Sequence, residues 1–250
     1  MAESAPRIAP MKRHEDQLGV SRQGLRPTVA FGRRDVLLGS TALLAAQACQ
    51  AAPHPVAITP ARGKRVAIDL ERFVEDCVAA NREADAQQAV KDVLARGVHD
   101  PRAMLAAVGE PEQAGLHVLH RSPALTIFAA TWTPEMNLMP HNHLMWALIG
   151  IYTGREDNIF WRRSEEGVTA YGAEALFEGD VAALPSDAIH SVTNPLERFT
   201  GGIHVYGGDF FATTRSQWNP ETRVEEPSDG DVIRGIFERA NERLRRLSQA

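Results

Sequence analysis

Three histidines have the types and spacing to do chemistry: His141, His143 and His190. Side chains at i and i+2 on a β-strand point to the same face, so His141 and His143 can bind one metal ion together. His190 ends a second segment, 179–190, in which apolar residues lie between turn-forming Gly, Pro and Asp. If the two segments pair in a small barrel, the three imidazoles cover one side of the ion and leave the other open, as in catalytic metal sites.

These segments resemble the two motifs of the cupin superfamily. Residues 140–143 (Pro-His-Asn-His) are similar to the first motif. Residues 179–194 are similar to the second, with Asp187 where many cupins carry glycine. The resemblance covers about residues 125–211. It implies a mainly β fold, the cupin double-stranded β-helix or small barrel, with the three histidines as metal ligands.

The details resemble one branch of that superfamily, the three-His thiol dioxygenases related to cysteine dioxygenase type I. The first motif usually continues with a glutamate ligand, but Ala147 and Leu148 occupy its positions. Gly202, His204 and Tyr206 are similar to the branch's Ser-x-His-x-Tyr segment, with glycine in place of serine. Leu148 also stands at the position of the branch's crosslinking cysteine. The resemblance implies catalytic roles for His204 and Tyr206, with the histidine orienting the phenol toward substrate or oxygen.

The metal and the reaction follow from the resemblance more than from the ligands. Imidazole suits Fe(II), Mn(II), Ni(II), Cu(II) and Zn(II) alike, and the resemblance favours Fe(II). It implies an oxidoreductase that oxidises a small cysteine-like or mercaptopropionate-like thiol to a sulfinate with O2. Two alternatives stay open: a cupin dioxygenase with a non-thiol substrate, and a non-catalytic cupin that binds a metal or a small ligand. Only the enzymes would consume O2 with substrate.

A carboxylate-bearing thiol requires a cation beside the metal. Arg121, Arg162 and Arg163 are the candidates, and Arg121 is the predicted substrate-binding residue. Glu156 is a further candidate ligand. If its carboxylate enters the site from a neighbouring strand, the three-His site becomes a mixed histidine and carboxylate site.

The sequence predicts helices on both sides of a β-rich centre. Apolar residues recur at helical spacing in three segments within 69–108 and again over 231–247. Within 115–211, short runs rich in β-branched and aromatic residues alternate with turn residues, which predicts the strands of a barrel. We therefore predict a single cupin domain over 66–250, with the helices packed outside the barrel.

The net charge of −5, without a long basic run in the body of the chain, argues against nucleic acid as a partner. A small-molecule substrate fits better. With 44% hydrophobic residues, the chain can bury a sizeable core.

The first fifty residues have the pattern of an export leader. The Arg33-Arg34 pair precedes a short apolar stretch over 36–48, which predicts a Tat-type leader at 1–50 and the Tat machinery as a partner. A proline-containing linker follows at 51–65. The mature protein is then periplasmic or secreted, without an integral membrane segment; a cytoplasmic protein is the alternative. Cys49 is a candidate lipidation site, and its loss or modification leaves Cys77 without a partner for an intramolecular disulfide.

Overall fold

The computed structural model describes residues 67–249. The leader predicted at 1–50 and the linker at 51–65 lie outside the described residues and stay predictions. Within 67–249, no helix combines the length and the apolar character needed to cross a membrane.

Three helices precede the sheets, and each begins after an aspartate. Asp69, Asp85 and Asp100 each accept a hydrogen bond from a backbone N–H in the first turn of the helix that follows. The helices are α1 (Leu70–Ala80), α2 (Ala86–Val98) and α3 (Pro101–Val108). A fourth, α4 (Gly230–Leu247), ends the described chain after the cap Asp229.

Eleven strands form two antiparallel sheets in the described part of the chain. They are β1 (Gly115–Arg121), β2 (Thr126–Trp132), β3 (Asn137–Asn142), β4 (Ala147–Thr153), β5 (Arg155–Ser164), β6 (Gly167–Phe177), β7 (Val181–Leu184), β8 (Ile189–Thr193), β9 (Thr200–Tyr206), β10 (Ser216–Trp218) and β11 (Glu225–Pro227). One sheet has the order β1-β2-β9-β4-β7 and the other β11-β10-β3-β8-β5-β6.

The strand pairing is that of a double-stranded β-helix. β5 pairs with β6, β4 with β7, β3 with β8 and β2 with β9, always antiparallel. The chain from β2 to β5 therefore forms one arm of a long hairpin, and β6 to β9 returns along it while both arms alternate between the two sheets. This confirms the mainly β fold class expected from the sequence, with helices before and after the strands.

The helices occupy two different places on the barrel. α1, α2 and α3 pack on the outer face of the five-stranded sheet, where Leu94 fits so closely over Gly150 that a Cβ there would lie 2.9 Å from it. α4 instead sends Phe237 into the core between the sheets, where its ring stacks on Trp132 at a centroid distance of 5.4 Å. Cys77 is buried between the first three helices and the five-stranded sheet. Burial there raises the pKa of its thiol to about 12, so this side chain behaves as an inert apolar group.

The end of the barrel differs from the sequence expectation. The segment 220–230 reads as an acidic loop, but it contains β11, which pairs with β10 and extends the six-stranded sheet. Both strands have only three residues, too few for a periodic signal.

Candidate metal centre

Two neighbouring strands bring the three histidines together. β3 and β8 pair so that His141 lies opposite His190, and His143 follows directly after β3. Each histidine offers one ring nitrogen, and these three atoms lie within 4.8 Å of one another. All three side chains are buried. The predicted ligands thus form a cluster that could hold a metal ion.

Hydrogen bonds set the tautomers of two of these rings. The Nδ1 atom of His141 lies 2.9 Å from the Met139 carbonyl oxygen, and that of His190 lies 2.6 Å from Asn158 Oδ1. Both oxygens only accept, so each Nδ1 carries the proton and each Nε2 keeps a free lone pair. His190 Nε2 lies 3.3 Å from His143 Nε2. Ring nitrogens that lie this close to one another fit a metal ion.

The charge state of the rings also fits a metal. Burial lowers the pKa of His141 to about 4 and holds the pKa of His143 and His190 well below the usual value. The imidazoles are therefore neutral near pH 7, and neutral imidazole is the form that binds metals.

Glu156 enters the region without joining the cluster. Its carboxylate accepts hydrogen bonds from Trp132 Nε1 at 2.8 Å and from Asn158 Nδ2 at 3.1 Å. His204 Nε2 lies 3.3 Å from the carboxylate, within ion-pair distance but outside hydrogen-bond geometry. Burial opposes ionisation of Glu156, but its electrostatic interaction with His204 and the contacts with His204, Asn158 and Trp132 outweigh burial and hold the pKa of the carboxyl below its usual value. Within residues 67–249 the ligand cluster contains histidine alone.

His204 and Tyr206 lie on β9, beside the cluster. The Tyr206 hydroxyl is 3.3 Å from His204 Nδ1, and the Tyr206 ring packs edge-on against His143 at a centroid distance of 4.8 Å. Burial raises the pKa of Tyr206, so its phenol stays protonated and can donate a hydrogen bond.

His141 and His190 line a small inner cavity of about 40 Å³, enough for a few water-sized groups. A larger outer cleft of about 410 Å³ lies between the start of β1 and α4. Both are lined by Leu116, Phe210, Arg215, Ile233 and Phe237. The shared lining shows that the inner cavity and the outer cleft adjoin one another.

The arginines named from the sequence lie elsewhere. Arg121 forms an ion pair with Asp209 at 2.9 Å and is half exposed, and Arg163 pairs with Glu225 on the surface. Arg162 is exposed. None of the three lines the inner cavity. The substrate-binding role of Arg121 stays a prediction.

Arg215 lines that cavity, and sequence reasoning missed it. Its guanidinium stacks on the Phe210 ring at 3.7 Å and donates to the Phe210 carbonyl oxygen at 2.7 Å. Within residues 67–249 it forms no ion pair with a carboxylate, and burial lowers its pKa. Nothing local in the sequence marks Arg215 as half-buried, because its position depends on the loop before β10.

No protein-family model matches the sequence, and no curated protein matches it significantly. Solved structures similar to this chain include an RmlC-like cupin family protein with a double-stranded β-helix fold from Methanocaldococcus jannaschii, with 10% identity and a TM-score of 0.35 over 41% of this chain and 86% of that one. A cupin superfamily protein from Desulfitobacterium hafniense has 15% identity and a TM-score of 0.33 over 40% and 83%. A Cupin 2 conserved barrel domain protein from Salinispora arenicola has 18% and 0.31 over 37% and 74%.

At these TM-scores, the assignment of the double-stranded β-helix rests on the strand pairing.

Proposed function

We propose that this protein is a metal-dependent oxygenase, a non-haem Fe(II) thiol dioxygenase that converts a small carboxylate-bearing thiol to its sulfinate. One observation carries the proposal: His141 and His190 of the three-His cluster line the same inner cavity as Arg215, which forms no ion pair with a carboxylate in residues 67–249. The cluster supplies a place for a metal, and the guanidinium supplies a place for an anionic group.

The reaction balances without a further reductant. A thiol and one O2 give a sulfinic acid, with both oxygen atoms ending on sulfur. His141, His143 and His190 would hold the Fe(II), and the bound ion would supply the thiolate-binding and oxygen-activating chemistry. Three neutral ligands leave the charge of the ion uncompensated, which favours an anionic thiolate in the site.

Arg215 would bind the substrate carboxylate. Its planar guanidinium can donate two parallel hydrogen bonds to a carboxylate, and its stacking on Phe210 holds the plane in one orientation. Partial burial strengthens such a pair, because less water competes for the charges. A second anchor of this kind would fix which end of the thiol faces the histidines.

His204 would orient the Tyr206 phenol at the cavity wall. His204 Nδ1 can accept the Tyr206 hydroxyl proton across 3.3 Å, and both side chains line the inner cavity. The hydroxyl is thereby held in one direction beside the reacting atoms.

The experiment is anaerobic purification of the protein, determination of its metal and measurement of O2 uptake with cysteine, 3-mercaptopropionate and cysteamine. We expect iron-dependent uptake with a carboxylate-bearing thiol, and a sulfinate as the product. Iron-loaded protein that consumes no O2 with any of these thiols would remove the thiol dioxygenase and leave a non-thiol oxygenase or a binding cupin.

The Tyr206→Phe variant tests the phenol. Phenylalanine keeps the ring packing against His143 and Phe210 but removes the hydroxyl. We expect kcat to fall about 100-fold, as for a positioned proton donor, while iron affinity stays within about threefold of wild type. Initial O2-uptake rates and an anaerobic iron titration measure the two effects. An unchanged kcat would make Tyr206 a packing residue of the barrel.

A further inference from the structure

A buried chain of hydrogen bonds runs from Trp132 to the ligand His190. Trp132 Nε1 donates to Glu156 Oε2 at 2.8 Å, and Asn158 Nδ2 donates to Glu156 Oε1 at 3.1 Å. Asn158 Oδ1 then accepts from His190 Nδ1 at 2.6 Å. Glu156, Asn158 and His190 are each at most 1% exposed, so water does not compete for these bonds.

The direction of every bond in this chain follows from Glu156. An ionised carboxylate only accepts hydrogen bonds, so Asn158 must direct the NH2 group of its amide at Glu156. The amide oxygen then faces His190 and accepts from Nδ1–H. His190 is left with a free Nε2 lone pair directed at His143 and His141.

We propose that Glu156 is a positioning residue that sets the tautomer of the ligand His190 through the amide of Asn158, and so determines how well the cluster binds a metal. The inference rests on the metal site of the proposed function and is independent of its substrate. Asn158 alone cannot set the tautomer, because its amide can turn by 180° and present either an acceptor or a donor to Nδ1.

The isosteric variant Glu156→Gln reverses this chain. The glutamine oxygen must face Trp132, whose indole N–H only donates, so the new NH2 group meets the NH2 group of Asn158. Asn158 relieves that contact by turning over, and its NH2 then faces His190 Nδ1. The variant therefore favours the tautomer of His190 with the proton on Nε2, which cannot bind a metal through that atom.

The double variant Glu156→Gln/Asn158→Asp restores the direction of every bond. The amide introduced at position 156 accepts from Trp132 and donates to the new carboxylate at position 158, and that carboxylate accepts from His190 Nδ1–H. The substitution moves one buried negative charge by two residues along β5 and changes no side-chain volume appreciably. Trp132→Phe is the matched control, because it removes a hydrogen bond to Glu156 without turning the Asn158 amide.

Cobalt(II) is a suitable probe, because its binding can be followed by visible absorption without substrate or O2. We expect Glu156→Gln of the full chain to bind Co(II) about 10- to 100-fold more weakly, the range typical of lost partners of metal ligands. The double variant and Trp132→Phe should bind within about threefold of wild type. Long-range 1H–15N correlation spectra of the metal-free proteins should show His190 protonated on Nδ1 in wild type and on Nε2 in Glu156→Gln.

Each outcome decides between distinct possibilities. Wild-type Co(II) affinity in Glu156→Gln, or weaker binding with an unchanged His190 tautomer, would overturn the role of Glu156 while leaving the metal site intact. If Glu156→Gln does not fold, the double variant still decides, since a folded double variant with weak Co(II) binding contradicts the inference. A wild-type protein that binds no Co(II) would overturn both the inference and the three-His site. If the proteins bind Co(II) as expected but the wild type does not oxidise thiols, only the proposed function is contradicted.

Discussion

Replacing His190 with alanine should abolish iron binding and, with it, O2 uptake. His190 supplies one of the three candidate ligand nitrogens, and its Nε2 atom lies 3.3 Å from His143 Nε2. Loss of a residue that only supports a ligand costs about 10- to 100-fold in metal affinity, so loss of a ligand itself should exceed about 1,000-fold. Anaerobic iron titration with a competing chelator and O2 uptake at saturating thiol measure the two losses.

A matched control separates this effect from general damage. His117 lies on the exposed side of β1, and His117→Ala should bind iron as the wild type does. His190→Ala also leaves the buried Asn158 Oδ1 without its donor, at a cost of about 1–3 kcal/mol in the free energy of unfolding. Thermal unfolding of the metal-free proteins shows whether the variant is still folded. A folded His190→Ala protein with wild-type iron affinity would exclude the three-His site.

Local sequence signals are sufficient for the helix starts and for one pair of the candidate ligands. Asp69, Asp85 and Asp100 mark the helix starts because a capping side chain acts within three residues of the N–H groups it satisfies. The pair His141 and His143 can be recognised for the same reason, because two histidines separated by one residue are a local pattern, although His143 itself lies just after β3. The three predicted ligands do converge.

The residues around the ligands cannot be recognised in this way, because their positions depend on pairing between distant strands. Asn158 reaches His190 across 32 positions of sequence. In the β5–β8 pairing, Phe160 lies opposite His190. Asn158 is two residues from Phe160 on β5, so its side chain lies on the same face of the sheet, diagonally across from His190. A shift of one residue in this register would turn Asn158 and Glu156 away from the site. Sequence patterns do not fix that register.

If the protein oxidises thiols as proposed, Arg215 should decide which thiols it accepts. Loss of one partner from a buried, hydrogen-bonded charge pair costs about 2–5 kcal/mol, so Arg215→Ala should lower kcat/KM for 3-mercaptopropionate by about 30- to 4,000-fold. Cysteamine has no carboxylate, and its kcat/KM should change by less than about threefold. Arg215→Lys keeps the charge but loses the planar fork and the stacking on Phe210, so it should recover only part of the loss. Steady-state O2 uptake with both thiols measures the ratio.

Arg121→Ala is the matched control, and it also tests the sequence prediction. The Arg121 guanidinium is already paired with Asp209 and is half exposed, so its loss should leave both thiols within about threefold of wild type. A large loss of kcat/KM for 3-mercaptopropionate alone in Arg121→Ala, with unchanged kcat/KM in Arg215→Ala, would instead show that Arg121 binds the substrate carboxylate. An equal loss for both thiols in Arg215→Ala would show that Arg215 acts by holding Phe210 in the cavity wall. Selectivity, rather than the size of either loss, therefore identifies the residue that binds the carboxylate.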